Sequence, residues 1–97
     1  MNDATTQQDI IEVIRTELLP ALESVAGTDP ADIGADTRLL DEGLALDSLD
    51  VLDLQVAIEG RFRISLPVLN RALIEASGNS VGGLAALVLQ QRAQAAA

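Results

Sequence analysis

At 97 residues, 48% of them hydrophobic and 22% charged, the chain has the length for one domain with a modest core and too much apolar content for a disordered one. Its formal net charge of −9, from 15 Asp and Glu against 6 basic residues that are all Arg, argues against nucleic acid and anionic membranes and towards protein partners with basic patches. With no Cys and no His, it has no disulfide, no thiol nucleophile, no imidazole base and few ligands for a transition metal.

The first segment reads as a helix over about residues 6–25. Ile10, Ile11, Ile14, Leu18, Leu22 and Val25 recur at helical spacing and form one apolar stripe. Asp9, Glu12, Glu17 and Glu23 fall mostly off it. Pro20 lacks an N–H and its ring clashes one turn back, so a kink or break is expected near Leu19. Residues 28–47 read as a long loop, punctuated by Pro30, Gly34 and Gly43 after Gly27 ends the first segment. A loop this long in a small domain is often functional. Its Ile33, Leu39, Leu40, Leu44 and Leu46 are expected to pin it across the helices, with a short helical turn at residues 37–42.

A second helix is expected after Asp47, running to about Arg63. Ile64, Ser65, Leu66 and Pro67 form a connector, because the residue before a proline avoids helical geometry. Pro67 can then occupy the first turn of a short third helix ending near Ala76. Ser77, Gly78 and Asn79 break it, and Ser80 is placed to cap a fourth helix over about residues 81–92. Val81, Leu84, Leu87 and Val88 would be its buried face. Gly82 and Gly83 either weaken its first turn or allow a close approach to a neighbour. The expectation is an all-α fold of four helices in a single domain over residues 1–97, with its core at about 6–92 and a frayed tail at 93–97. Phe62 is the sole aromatic, so Leu, Ile, Val and Ala must build the core, and Leu and Ala are strong helix formers. No apolar run approaches a membrane span. The first residues, Met1-Asn2-Asp3-Ala4-Thr5-Thr6, lack the basic and apolar regions of a signal peptide. The expected location is the cytoplasm, as a monomer.

The second helix carries two apolar stripes. Val51, Leu54, Ile58 and Phe62 step by three or four and make a core face. Leu49, Leu52 and Val56 make another, bordered by Asp47, Asp50, Asp53 and Glu59. That second stripe is either covered by the long loop or exposed for a partner with an apolar groove and a basic rim. The acids also suit the positive end of the helix dipole. Ser48 stands at the helix start, where Ser or Asp commonly caps. It cannot be a hydrolase nucleophile, since no His is present to activate it. Modification of Ser48 by another enzyme remains. Asp41, Glu42, Asp47 and Asp50 could bind a hard cation weakly, but repelling, solvated carboxylates are the expectation, and no metal is expected.

These residues resemble the acyl carrier protein family. Gly43-Leu44-Ala45-Leu46-Asp47-Ser48-Leu49-Asp50 is similar to its Asp-Ser-Leu signature. Residues 51–59 look like its second helix, and Phe62, Ile64, Leu66 and Pro67 match in spacing. Residues 36–42 look like the stretch before the signature, and Ser80-Val81 with Leu84-Ala85 like the start of the fourth helix. The resemblance covers about residues 10–88. It implies a four-helix bundle with a long first loop and a 4'-phosphopantetheine arm on Ser48, taken from coenzyme A by a Mg-dependent phosphopantetheinyl transferase. The arm's thiol would carry acyl groups as thioesters to acyl ligases, synthases or transferases of fatty-acid, polyketide-like or other lipid pathways. By the same resemblance Asp47 assists transferase recognition. Leu49, Asp50, Leu52, Asp53, Val56 and Glu59 meet partners, and the core face of the second helix shelters cargo. The chain itself would have no catalytic activity. An aminoacyl or D-alanyl carrier charged by an adenylating ligase is the alternative, which Asp rather than His before the serine disfavours.

Two features depart from the housekeeping pattern. The second helix ends in Gly60-Arg61-Phe62-Arg63 rather than in acids, and the third segment carries Arg71 and looks about a turn longer than usual. Both point to a specialised carrier.

Overall fold

The stripe of the first segment forms a helix that changes pitch before it breaks. In the computed structural model, which describes residues 6–40 and 43–96, α1 spans Gln7–Val13. Thr6 caps it, with Oγ1 accepting the Asp9 N–H at 3.1 Å. The helix widens into a π turn over Ile14–Leu18, where the Leu19 N–H donates to the Ile14 carbonyl, then tightens to a 3₁₀ turn over Leu19–Ala21. Pro20 lies at this change. In a regular α turn its ring would press on the carbonyl four residues back, and a π turn is one way a helix absorbs such an insult. The break expected near Leu19 falls at Leu22, which is extended at φ −80° and ψ 136°. A 3₁₀ turn over Glu23–Val25 follows. The stripe stays buried throughout, from Ile10 to Val25.

The long loop is tied to the start of the last helix. Among its described residues the helical turn is Pro30–Asp32, capped by Asp29, and residues 37–40 form none. Among the described residues of that stretch, 37–40, the backbone groups are committed elsewhere. The Thr37 carbonyl accepts the Val81 N–H at 3.0 Å, and the Ala35 carbonyl accepts the Gly82 N–H at 2.8 Å. Leu39 and Leu40 N–H groups donate to the Asn79 carbonyl and its side-chain oxygen, at 3.3 and 2.9 Å. Asp41 and Glu42 lie outside the described residues. Ile33, Leu39, Leu40 and Leu46 are buried and Leu44 is half-buried, so the loop's apolar residues do join the core. Arg15 clamps the Pro30 carbonyl at 2.7 Å while its other guanidinium nitrogens grip Glu12.

The remaining helices are α2 at Ser48–Phe62, α3 at Arg71–Ala76 and α4 at Val81–Ala96. Among the described residues the fold is all helical, with no strand and no helix long and apolar enough to cross a membrane. The main helix–helix packing is α1 on α4. Pro67 does not start α3. The Leu66 N–H donates to Glu59 Oε2 and the Leu69 N–H to Gln55 Oε1, each at 2.8 Å, which lays the connector along α2. Asn70 then caps α3 through its side-chain oxygen, so the expected extra turn is connector and the helix has only 6 residues. α4 runs past Arg92 to Ala96, through Ala93, Gln94, Ala95 and Ala96, all good helix formers. Close approach explains the glycines. A Cβ on Gly82 would lie 3.1 Å from the Ala35 carbonyl oxygen, and one on Gly83 would clash with that of Ser77. Ser80 Oγ accepts the Gly83 N–H at 3.0 Å, as expected of a cap.

Candidate functional site

The site lies at the start of α2. Asp47 is its N-cap and Ser48 its first residue, both exposed. Asp47 Oδ1 accepts the Asp50 N–H at 2.9 Å, and Asp50 Oδ2 accepts the Asp47 N–H at 3.2 Å, a reciprocal capping box. A third partner joins from far along the chain. The Ser24 hydroxyl donates to Asp50 Oδ2 at 2.5 Å. The Ser24 bond, then those from Asp47, hold the Asp50 carboxyl below its ordinary pKa, against the opposing pull of burial. The capping role expected for either residue falls to Asp47, which leaves the Ser48 hydroxyl outside the box.

Two acids expected to face partners are otherwise engaged. Asp50 is 6% exposed, and its carboxylate serves Ser24 and Asp47. Glu59 is half-buried, with its carboxylate on the Leu66 N–H. Asp53 stays exposed. The second apolar stripe is not covered by the loop: Leu49 is 71%, Leu52 55% and Val56 62% exposed. Val68, which sequence reasoning placed inside a helix, sits on the connector and is 72% exposed. Arg61 pairs with Glu17 at 3.2 Å, and the guanidiniums of Arg61 and Arg92 lie 5.6 and 5.9 Å from the Phe62 ring centre. The basic end of α2 is thus partly satisfied by the fold itself.

Beside Ser48 opens a cleft of about 390 Å³, lined by Leu40, Leu46, Val51 and Leu69 together with Asp47, Ser48, Asn70 and Arg71. The connector wall of this cleft was missed from sequence. Only the oddity of an Arg in the third segment pointed towards it. Ser24 gave no sequence signal at all. Of the weak cation cluster, Asp41 and Glu42 lie outside the described residues, and Asp47 and Asp50 are bound into the capping box. Among the described residues no group of three or more potential ligands gathers for a metal.

The all-helical fold thus sets an exposed serine beside a cleft with Leu40, Leu46, Val51 and Leu69 among its lining residues. Residues 16–88 match the family model described as the phosphopantetheine attachment site, and the chain belongs to that family. No curated protein and no solved structure gives a match. The family holds 4'-phosphopantetheine covalently on a serine, and its members are carrier domains that meet phosphopantetheinyl transferases and biosynthetic enzymes. The residues at the cleft suit such an arm: an accessible hydroxyl, an apolar floor for a thin chain and a cation for a phosphate.

Proposed function

We propose that Ser48 is the serine that carries the arm, and that the chain delivers acyl groups to partner enzymes without catalysing their reactions. The observation that carries this reading is the exposed Ser48 hydroxyl at the head of α2 and the mouth of the cleft. The chain's other serines are 24, 65, 77 and 80. Ser24 bonds to Asp50 and Ser80 caps α4. Ser77 is half-buried in the turn after α3, and Ser65 lies on the connector away from any helix start. When attached, the arm supplies a terminal thiol able to hold an acyl group as a thioester. This chain's own residues present and shelter. Asp47 marks the serine for the transferase. Leu49, Leu52 and Val56, with Asp53 beside them, form the docking strip for enzymes with an apolar groove and a basic rim. Val51, Leu54, Ile58 and Phe62 line the core side of α2.

The pathway we infer is a specialised lipid, fatty-acid or polyketide-like one in the cytoplasm, with the carrier acting as a monomer. Charging of the holo protein by acyl ligases but not by aminoacyl or D-alanyl ligases tests the cargo. Efficient charging by the latter alone would reverse the assignment. Elongation by a standard fatty-acid synthase set, at rates matching a housekeeping carrier, would count against specialisation.

A further inference from the structure

Arg71 lines the same cleft as Ser48, and it is the only cation among the described residues lining it. The backbone that carries it is anchored on both sides. The Leu69 N–H is held by Gln55 of α2, and Asn70 caps the helix that Arg71 begins. The position of Arg71 relative to Ser48 is therefore set by α2 itself. Its guanidinium makes an exposed pair with Glu75 at 3.2 Å, with both side chains more than half exposed. A surface pair of this kind contributes little and exchanges readily. The other cations described in contacts serve the fold, Arg15 on Pro30 and Glu12, and Arg61 and Arg92 around Phe62.

A phosphodiester on Ser48 would sit beside the exposed Asp47, in a chain of net charge −9. Without a counter-charge, its addition is repulsive. Building on the assignment of Ser48, we infer that Arg71 is the arm-docking residue. Its guanidinium meets the phosphodiester, where a planar fork matches two phosphate oxygens. The arm is thereby laid against Leu40, Leu46, Val51 and Leu69 instead of standing free in solvent.

The test compares cargo-free holo and apo protein, wild type and Arg71→Gln, at low salt. Arg71 is exposed, so its replacement opens no cavity in the core. In wild type the holo form should melt at least as high as the apo form. In Arg71→Gln the order should reverse, with the holo form lower by about 2–4 °C. The ³¹P resonance of the phosphodiester should shift and narrow in Arg71→Gln, and Arg71→Lys should fall between. Glu75→Gln, which removes one competing carboxylate, should enlarge the wild-type holo-minus-apo difference. Salt at about 1 M should shrink it. An arm that attaches, judged by mass, with the same ³¹P signal and the same holo-minus-apo shift in both proteins, overturns the role of Arg71 alone. A chain that takes no arm at Ser48 overturns both readings.

Discussion

Removing the Asp50 carboxylate tests how the head of α2 is held. Asp50→Ala deletes the acceptor for the Ser24 hydroxyl at 2.5 Å and for the Asp47 N–H at 3.2 Å. A hydrogen bond to a charged group contributes about 1.5–3 kcal/mol. Ser24 and Asp47 are themselves exposed, so water replaces part of what is lost. The expected cost is therefore about 2–3 kcal/mol, or roughly 10–15 °C in Tm for a chain of this size. Urea unfolding followed by far-UV circular dichroism measures it. Ser24→Ala alone should cost about 1 kcal/mol, and close to nothing in the Asp50→Ala background, because the two share one bond. The pH dependence has a definite sign. The Ser24 and Asp47 bonds depress the folded pKa of Asp50. Its contribution is thus complete above the unfolded carboxylate value of about 4, and is lost as pH falls through the lower folded value. The stability gap between wild type and Asp50→Asn should be widest near neutrality and close on acidification below about pH 4. A cost under about 0.5 kcal/mol for Asp50→Ala, or a gap that grows in acid, would refute this account.

Gly83→Ala should destabilise by about 2 kcal/mol or more, since the new Cβ meets the Ser77 carbonyl oxygen and the turn before α4 must open; thermal melts check it. Leu54→Ala should cost about 2–5 kcal/mol, as its side chain is fully buried, while Leu52→Ala should stay within about 0.5 kcal/mol. The same Leu52→Ala should weaken binding to a cognate partner enzyme, read by titration calorimetry. Equal stability losses for the two leucines would mean that the stripes are misassigned.

Much of the fold was legible because it rests on local pattern. The stripe of α1, the break forced by Pro20, the two faces of α2 and the Ser80 cap all come from residues a few positions apart. The course of the loop was legible only in part. Its apolar residues announced burial, but the carbonyls of Ala35 and Thr37 cap a helix that begins over 40 residues later, and no local pattern encodes that. The same limit applies at the site. Asp50 read as a rim acid because its spacing fits that face, yet its partner Ser24 stands 26 residues away. Glu59 and Gln55 bond to backbone N–H groups of the connector, and those two bonds convert the supposed start of α3 into an extended wall. Composition could say that α2 had a spare apolar face. Only the tertiary fold could say that the loop leaves it uncovered.

The central claim is that Ser48 is a site of attachment and not merely a helix-start residue beside a capping Asp47. Incubation with coenzyme A, Mg²⁺ and a broad-specificity phosphopantetheinyl transferase, followed by intact-mass measurement, tests it most directly. The account predicts a gain of one phosphopantetheine arm in wild type and none in Ser48→Ala. No gain in wild type, or the same gain in Ser48→Ala, would contradict it.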